Sequence, residues 1–417
     1  MLPSGKLNSN SNSNLNSAIK WKLTKCHRAT PIILFRACSY ILPALLLYTM
    51  FQVYQLNNFL DLVKRNTPLS DWSMNTSLNL RDYIWPLEDT ALIVPRDFCG
   101  QKTLLLIVVE SSVNGSAERQ LIRETWGNTT NFNYPVFAKL HGHLKGSYLP
   151  PLKSRLRLYA DYLSGEGETL TASVQIVFML GSSKSNLQPD ESKQLQQEAH
   201  RYNDIIQESF IDTYNNLTLK SVLALKHVSK SCSNSTAFFF KCDDDTFVNV
   251  PNLLHFILGG TVPLYNDTIK YTSSWQSRLG GTTEVMRGYK FSKSKPIMNT
   301  TSKWYMPHYM YPHSTYPEYL SGGGYLLSID VVQRLYDAAW STKMVYLEDL
   351  YVTGLCAKRA HLKPLHSSLF YIKYSMQLCA YKAMITLHKA KGSRLKRVWK
   401  FVTDYGRKCA APDLIAS

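Results

Sequence analysis

The chain holds no CxxC pair among its eight cysteines, so the usual spacing of a structural zinc site is missing. It has no zinc-finger spacing and no basic zipper either. Its basic residues collect on no recognisable module, so a formal charge of +17 does not by itself argue for nucleic acid. Nucleic acid is not an expected partner, and an anionic substrate or a membrane surface accounts for the charge as well. Residues 1–30 lack any acidic side chain and, although rich in Asn and Ser, contain no Asn-x-Ser/Thr sequon.

What is present reads in order. The polar, basic start (1–30) reads as a disordered tail. Lys20, Lys22, Lys25 and Arg28 precede an apolar run from Pro31 to about Val53, interrupted only by Arg36. Its clean part is slightly short of the ~20 residues that cross a bilayer, but Arg36 can snorkel and lengthen it. An uncleaved transmembrane anchor over 31–56 is expected, ahead of a buried helix or a cleaved signal peptide. The basic flank places the tail in the cytosol. Sequons at Asn75, Asn114, Asn128, Asn216, Asn234, Asn266 and Asn299 all follow the run and make a glycosylated lumenal body. Six cysteines also follow it, a number compatible with disulfides in an oxidising compartment. Residues 57–97, with Pro68, Pro86 and Pro95, read as a stem, and 98–417 as the body.

Within the body, Lys102–Glu110 and Val174–Leu180 are apolar runs typical of buried strands. A helix starts at Pro189-Asp190, with Leu195, Ala199, Tyr202 and Ile206 as its stripe, and another covers Leu217–Lys230. Strand–helix alternation argues for an α/β sheet. The informative stretch is Ala237–Asn249. Aromatic residues run straight into Asp243-Asp244-Asp245, and the buried-looking pair Phe247-Val248 follows at once. Carboxylates pinned between two interior segments resist ionisation unless a cation or hydrogen bonds offset them. Oxygen donors of this kind suit Mn²⁺ or Mg²⁺, which bridges phosphate oxygens; the alternative is a solvated turn.

Three other patterns carry chemistry. Arg119 and Arg123 share a helix face and either meet a diphosphate or pair with Glu118 and Glu124. Gly322-Gly323-Gly324 either lets backbone approach a ligand or forms a flexible loop. Glu348-Asp349, set among apolar residues, is either a general base or a helix cap with an ion pair.

Six blocks, Arg119–Gly127, Phe178–Gly181, Asp204–Lys220, Phe240–Asn249, Tyr316–Ser328 and Glu348–Cys356, together resemble the β1,3-galactosyltransferase and β1,3-N-acetylglucosaminyltransferase family of Golgi membranes. They occur in family order and span the body from about Cys99 to Cys409. The resemblance implies a GT-A fold with a Rossmann-like nucleotide-sugar-binding domain behind a type II anchor, and inverting transfer from a UDP-sugar to a glycan on lipid or protein. It implies Mn²⁺ as cofactor, with Asp245 as direct ligand and His388 as partner. Asp243, Asp244, Arg119, Arg123, Gly323 and Gly324 would contact the donor, and Asp349 would be the base. Cys99, Cys232, Cys356, Cys379 and Cys409 match a disulfide set. Leu320 stands where the galactosyl branch commonly has cysteine, and the glycine triplet is closer to the N-acetylglucosaminyl branch, so the donor is galactose or an N-acetylhexosamine. The alternative is a catalytically inactive lumenal sugar-binding or scaffold protein of the same fold.

Overall fold

The computed structural model describes residues 31–183, 189–266, 278–373 and 375–410. The chain forms two compact units, divided between Thr67 and Pro68. In the first unit the described residues form one 35-residue helix, Pro31–Arg65. From Tyr40 to Val63 it carries exposed Leu, Ile, Met, Phe and Tyr side chains. Among the described residues no helix is long and apolar enough to cross a membrane, so the expected span over 31–56 is not shown. The residues read as a stem, 57–97, fall on both sides of the division between the units. The second unit begins at Pro68, and Trp72, Leu80 and Ile84 are buried in its core.

The strands of the second unit, in chain order, are β1 (Ala91–Ile93), β2 (Thr103–Glu110), β3 (Leu163–Ser164), β4 (Thr171–Ala172), β5 (Val174–Ser182), β6 (Ile205–Ile211), β7 (Thr236–Asp243), β8 (Phe247–Val248), β9 (Met286–Phe291), β10 (Tyr319–Ser328), β11 (Leu365–His366), β12 (Phe370–Tyr371) and β13 (Thr386–Leu387). Eight of them form one mixed sheet in the order β1-β6-β5-β2-β7-β10-β9-β11. Its centre, β6-β5-β2-β7, is parallel, and β10 then runs antiparallel to β7. β12, β13 and β8 make a second small sheet, and β3 pairs with β4.

Every residue of β2 is buried, as a central parallel strand covered on both faces requires. Alternation divides its side chains between two cores. Leu105, Ile107 and Val109 pack with Phe178, Phe238 and Phe240 on one face. Leu106 and Val108 pack with Met179 and Phe239 on the other, under helices Leu217–Ser231 and Ile329–Ala339. This is the α/β sheet expected. The helix from Pro189 ends at Tyr202, however, because Asn203 takes the left-handed conformation (φ 52°) and Ile206 belongs to β6.

Disulfides join Cys99 to Cys232 and Cys379 to Cys409. Cys356, expected in the disulfide set, is instead free and buried, with its thiol pushed up to about 12 by burial. Of the sequon asparagines, Asn75, Asn114, Asn234, Asn266 and Asn299 are exposed, while Asn128 and Asn216 are half-buried.

Candidate active site

Parallel pairing of β2 with β7 sets Glu110 opposite Asp243, so two carboxylates end adjacent strands. The chain then turns and is drawn back inside by the buried pair Phe247-Val248 of β8. β13 pairs antiparallel with β8, Leu387 opposite Phe247, and this register delivers His388 to the acidic turn. The Ala390 N–H donates to the Asp245 carbonyl (2.7 Å) and fixes that approach. His388 Nε2 lies 2.8 Å from Asp245 Oδ1 and 3.7 Å from Asp243 Oδ2.

One donor atom from each of Asp243, Asp245 and His388 falls within 4.8 Å of the others, a span that one cation can bridge. Two carboxylates and an imidazole are donors that a divalent transition-metal ion accepts. Asp244 is turned away: it accepts from the Ser111 hydroxyl at 2.8 Å. The group that could hold a cation is thus Asp243, Asp245 and His388, and the middle acid belongs to the loop beside it. Burial alone would lower the His388 pKa, but the hydrogen bond and charge of Asp245, with Asp243, raise it. Burial would raise that of Asp245, yet His388, Lys391 and Lys303 lower it.

Behind this cluster lies Lys241, in an otherwise apolar strand. Its ammonium is 2.8 Å from Asp243, 3.1 Å from Glu110 and 3.2 Å from Glu348, and it donates to the Gly322 carbonyl at 3.0 Å. Burial opposes its charge, but Asp243, Glu110 and Glu348 hold it protonated. Burial likewise lifts Glu110 to about 7, against the pull of Lys241.

Glu348 and Asp349 diverge at the start of the helical turn Glu348–Leu350. Glu348 points inward to Lys241 and accepts from Tyr325 Oη at 2.8 Å. Asp349 is half-buried, and its carboxylate accepts from the N–H groups of Leu350 (2.8 Å) and Gly322 (3.3 Å). Burial raises its pKa despite those hydrogen bonds. A half-buried aspartate with raised pKa can take a proton from an incoming hydroxyl. Thr353 ties the turn to β10: its hydroxyl donates to the Asp349 carbonyl (2.6 Å) and accepts from the Leu320 N–H (2.8 Å).

The glycine triplet lies within β10, not in a flexible loop. A Cβ at Gly322 would come within 2.9 Å of the Glu348 carboxylate, and one at Gly324 within 3.1 Å of Phe240 and Thr386. Packing against the acid-bearing elements therefore explains why Gly322 and Gly324 carry no side chain. Gly323 lies against His388, where a Cβ would sit 3.4 Å from the ring.

The arginines behave differently from the donor contacts expected of them. Arg119 is fully buried and bonds both oxygens of Glu198, at 2.8 and 2.7 Å. It also donates to the carbonyls of Ser112 and Val113, holding the loop whose Ser111 supports Asp244. Arg123 makes two bonds to Asp204 (2.7 and 2.9 Å), pairs with Glu198 (2.9 Å) and stacks on Tyr202. Both guanidinium groups are satisfied, and by Glu198 and Asp204 instead of Glu118 and Glu124. Lys241 and Glu110 were not singled out in the sequence. Only Lys241 left a signal, as a charge inside a buried strand.

The galactosyltransferase family model matches residues 160–368. β-1,3-Galactosyltransferase 1 of Mus musculus is 31% identical over 303 residues, covering 72% of this chain and 74% of that protein. Lactosylceramide 1,3-N-acetyl-β-D-glucosaminyltransferase A of Danio rerio is 31% identical over 322 residues, 75% of this chain and 69% of that protein. Among solved structures, the bifunctional glycosyltransferase WbbM aligns with 73% of this chain and 50% of its own, at 11% identity and a TM-score of 0.28, too slight a likeness to argue from. The sequence likenesses decide: this chain belongs to the galactosyltransferase family and is a hexosyltransferase of the β1,3 type.

Proposed function

We propose that the chain transfers galactose or an N-acetylhexosamine from a UDP-sugar to a hydroxyl of a glycan on lipid or protein, in one inverting displacement on a GT-A scaffold. The observation that carries this reading is the convergence of Asp243, Asp245 and His388 at the carboxyl end of β7, with Asp349 across β10 from them. In open α/β sheets ligands collect at such strand ends. When bound there by these three residues, Mn²⁺ would supply Lewis-acid neutralisation of the diphosphate leaving group. Lys303 and Lys391, whose charges reach Asp245, add positive potential on that side.

Asp349 is the base. Its carboxylate takes the proton of the acceptor hydroxyl as that oxygen attacks the anomeric carbon opposite UDP, giving a β linkage from an α-linked donor. Leu350 and Gly322 orient the carboxylate, and Lys241 with Tyr325 keeps Glu348 turned inward. Such a base is worth ~10²–10⁴ in rate, so positioning and charge stabilisation supply the rest. The two relatives differ in the sugar their names specify, which is why both donors stand here. The inactive sugar-binding alternative has nothing in its favour, because both acidic centres are intact.

Golgi placement as a type II membrane protein belongs to the same proposal. Its support is the one-sided sequons, the basic tail and two disulfides, not the Pro31–Arg65 helix. Protease digestion of sealed vesicles should remove the tail and spare the body; a protected tail contradicts the orientation. For the activity, the full chain is incubated with a UDP-sugar panel and mixed glycan acceptors, with Mn²⁺ or chelator. Metal-dependent UDP release matched by a new β1,3 bond supports the reading; release of inorganic phosphate, or no turnover with any donor, overturns it.

A further inference from the structure

Trp304 is an exposed tryptophan on a stiffly held backbone. Its neighbours Tyr305 and Met306 are buried, whereas its own ring is 49% exposed. The buried Tyr346 donates from its hydroxyl toward the carbonyls of Lys303 (3.0 Å) and Tyr305 (2.8 Å), fixing the chain on either side. Tyr346 lies on the same short segment as Asp349, three residues before it, so the anchor of Trp304 and the base move together. Beside Trp304 stands Tyr214, 42% exposed. The Lys303 ammonium sits over both rings, 4.9 Å from the Trp304 centroid and 5.2 Å from that of Tyr214. Tyr214 faces the catalytic acids: burial first, then the charges of Asp349 and Asp243, hold its hydroxyl protonated, and it shares a hydrogen bond with Trp304.

We propose that Trp304, with Tyr214 and Lys303, is the platform on which the terminal pyranose of the acceptor glycan stacks, making Trp304 a specificity-determining residue for the acceptor. This rests on the glycosyltransferase reading. A pyranose presents a C–H face that suits an aromatic ring, and hydroxyls at its rim that suit an ammonium and a phenol. An exposed aromatic on a rigid support, with an ammonium and a phenol beside it, is a surface on which a sugar ring can stack. Tyr346 ties the backbone of the platform to the segment that carries Asp349, and the Lys303 charge also reaches Asp245, so the platform borders both the base and the acidic cluster.

The test uses the full chain in detergent with UDP and Mn²⁺, and methyl β-galactoside, methyl β-N-acetylglucosaminide and lactose as probes, read by saturation-transfer NMR. Wild type should bind at least one probe. Trp304→Ala should weaken that binding roughly tenfold or more, Trp304→Tyr should restore much of it, and UDP affinity should stay unchanged in both. Where transfer is measurable, the acceptor KM should rise with the donor KM unmoved. Equal probe binding by wild type and Trp304→Ala overturns the platform while leaving the transferase reading intact. Loss of probe and UDP binding together overturns it too, because the residue then serves the fold or the donor. Probe binding lost in Trp304→Ala, with no transfer by wild type, upholds the platform and removes the transferase reading. If wild type binds a probe only once Asn299→Gln has removed that sequon, the platform holds the protein's own glycan and the proposal falls.

Discussion

Two charged corners border the carboxyl ends of the central strands, and they are balanced in opposite ways. In the arginine corner, Arg119 and Arg123 meet Glu198 and Asp204 through paired bonds, and every charge is answered by a neighbour. In the acidic corner, Asp243 and Asp245 share His388, remain about one-third exposed, and hold their oxygens close enough for a cation to add to them. Both corners show the motif density that suggests function. On the proposed reading saturation separates the roles: charges with complete partners build the fold, and charges left with capacity are the ones free to bind a ligand.

The largest expected effect lies in the arginine corner. Arg119→Met leaves Glu198 without its buried partner and releases the Ser112 and Val113 carbonyls. Losing one member of a buried pair costs about 3–5 kcal/mol, and urea unfolding should show it. UDP affinity per folded molecule should hold. A normal midpoint with lost UDP binding would break the comparison, because Arg119 would then be a donor contact.

Next in size is Asp349→Asn. Turnover should fall by ~10²-fold or more with UDP-sugar affinity nearly constant, since the proton moves only in the transition state. Single-turnover transfer beside a binding titration reads both, and a near wild-type rate places the base elsewhere. Glu348→Gln should act through stability, because its carboxylate faces Lys241 and Tyr325 and not the cleft.

A smaller effect concerns pH. Burial raises the Asp349 pKa, so the neutral, inactive acid persists to higher pH than for an ordinary aspartate. The acid limb of kcat should therefore have its midpoint above about 4, with activity lost as pH falls through it. A midpoint at or below that of a free aspartate would contradict a buried base.

How much of this the sequence carried depends on how local each feature is. β2 and β7 were legible because an apolar run needs no partner to be recognised as buried, and the acids follow directly in the chain. Glu348 and Asp349 are adjacent in the chain, so they must diverge on a strand or on a helix alike. The partners of Arg119 were not: Glu198 lies 79 residues away, and only the order of β5, β6 and the helix between them brings it back. The triplet Gly322–Gly324 looked like loop, because glycine is poor in strands, yet carboxylate and aromatic neighbours leave no room for side chains there. Cys356 fitted a cysteine pattern, but its place inside the π-helix Tyr351–Cys356 leaves it free and buried. The two-residue strands β8 and β13 carry almost no pattern, so His388 reached the site through family likeness and not through periodicity.

The central claim is that the unsaturated acidic corner, and not the arginine corner, holds the metal and the donor. Calorimetric titration of UDP into wild type, Asp245→Asn and Arg123→Gln, each with Mn²⁺ and with chelator, tests it directly. The account predicts Mn²⁺-dependent UDP binding in wild type, its loss in Asp245→Asn, and its survival in folded Arg123→Gln. Retention of Mn²⁺-dependent binding in Asp245→Asn, with loss in Arg123→Gln, would contradict it.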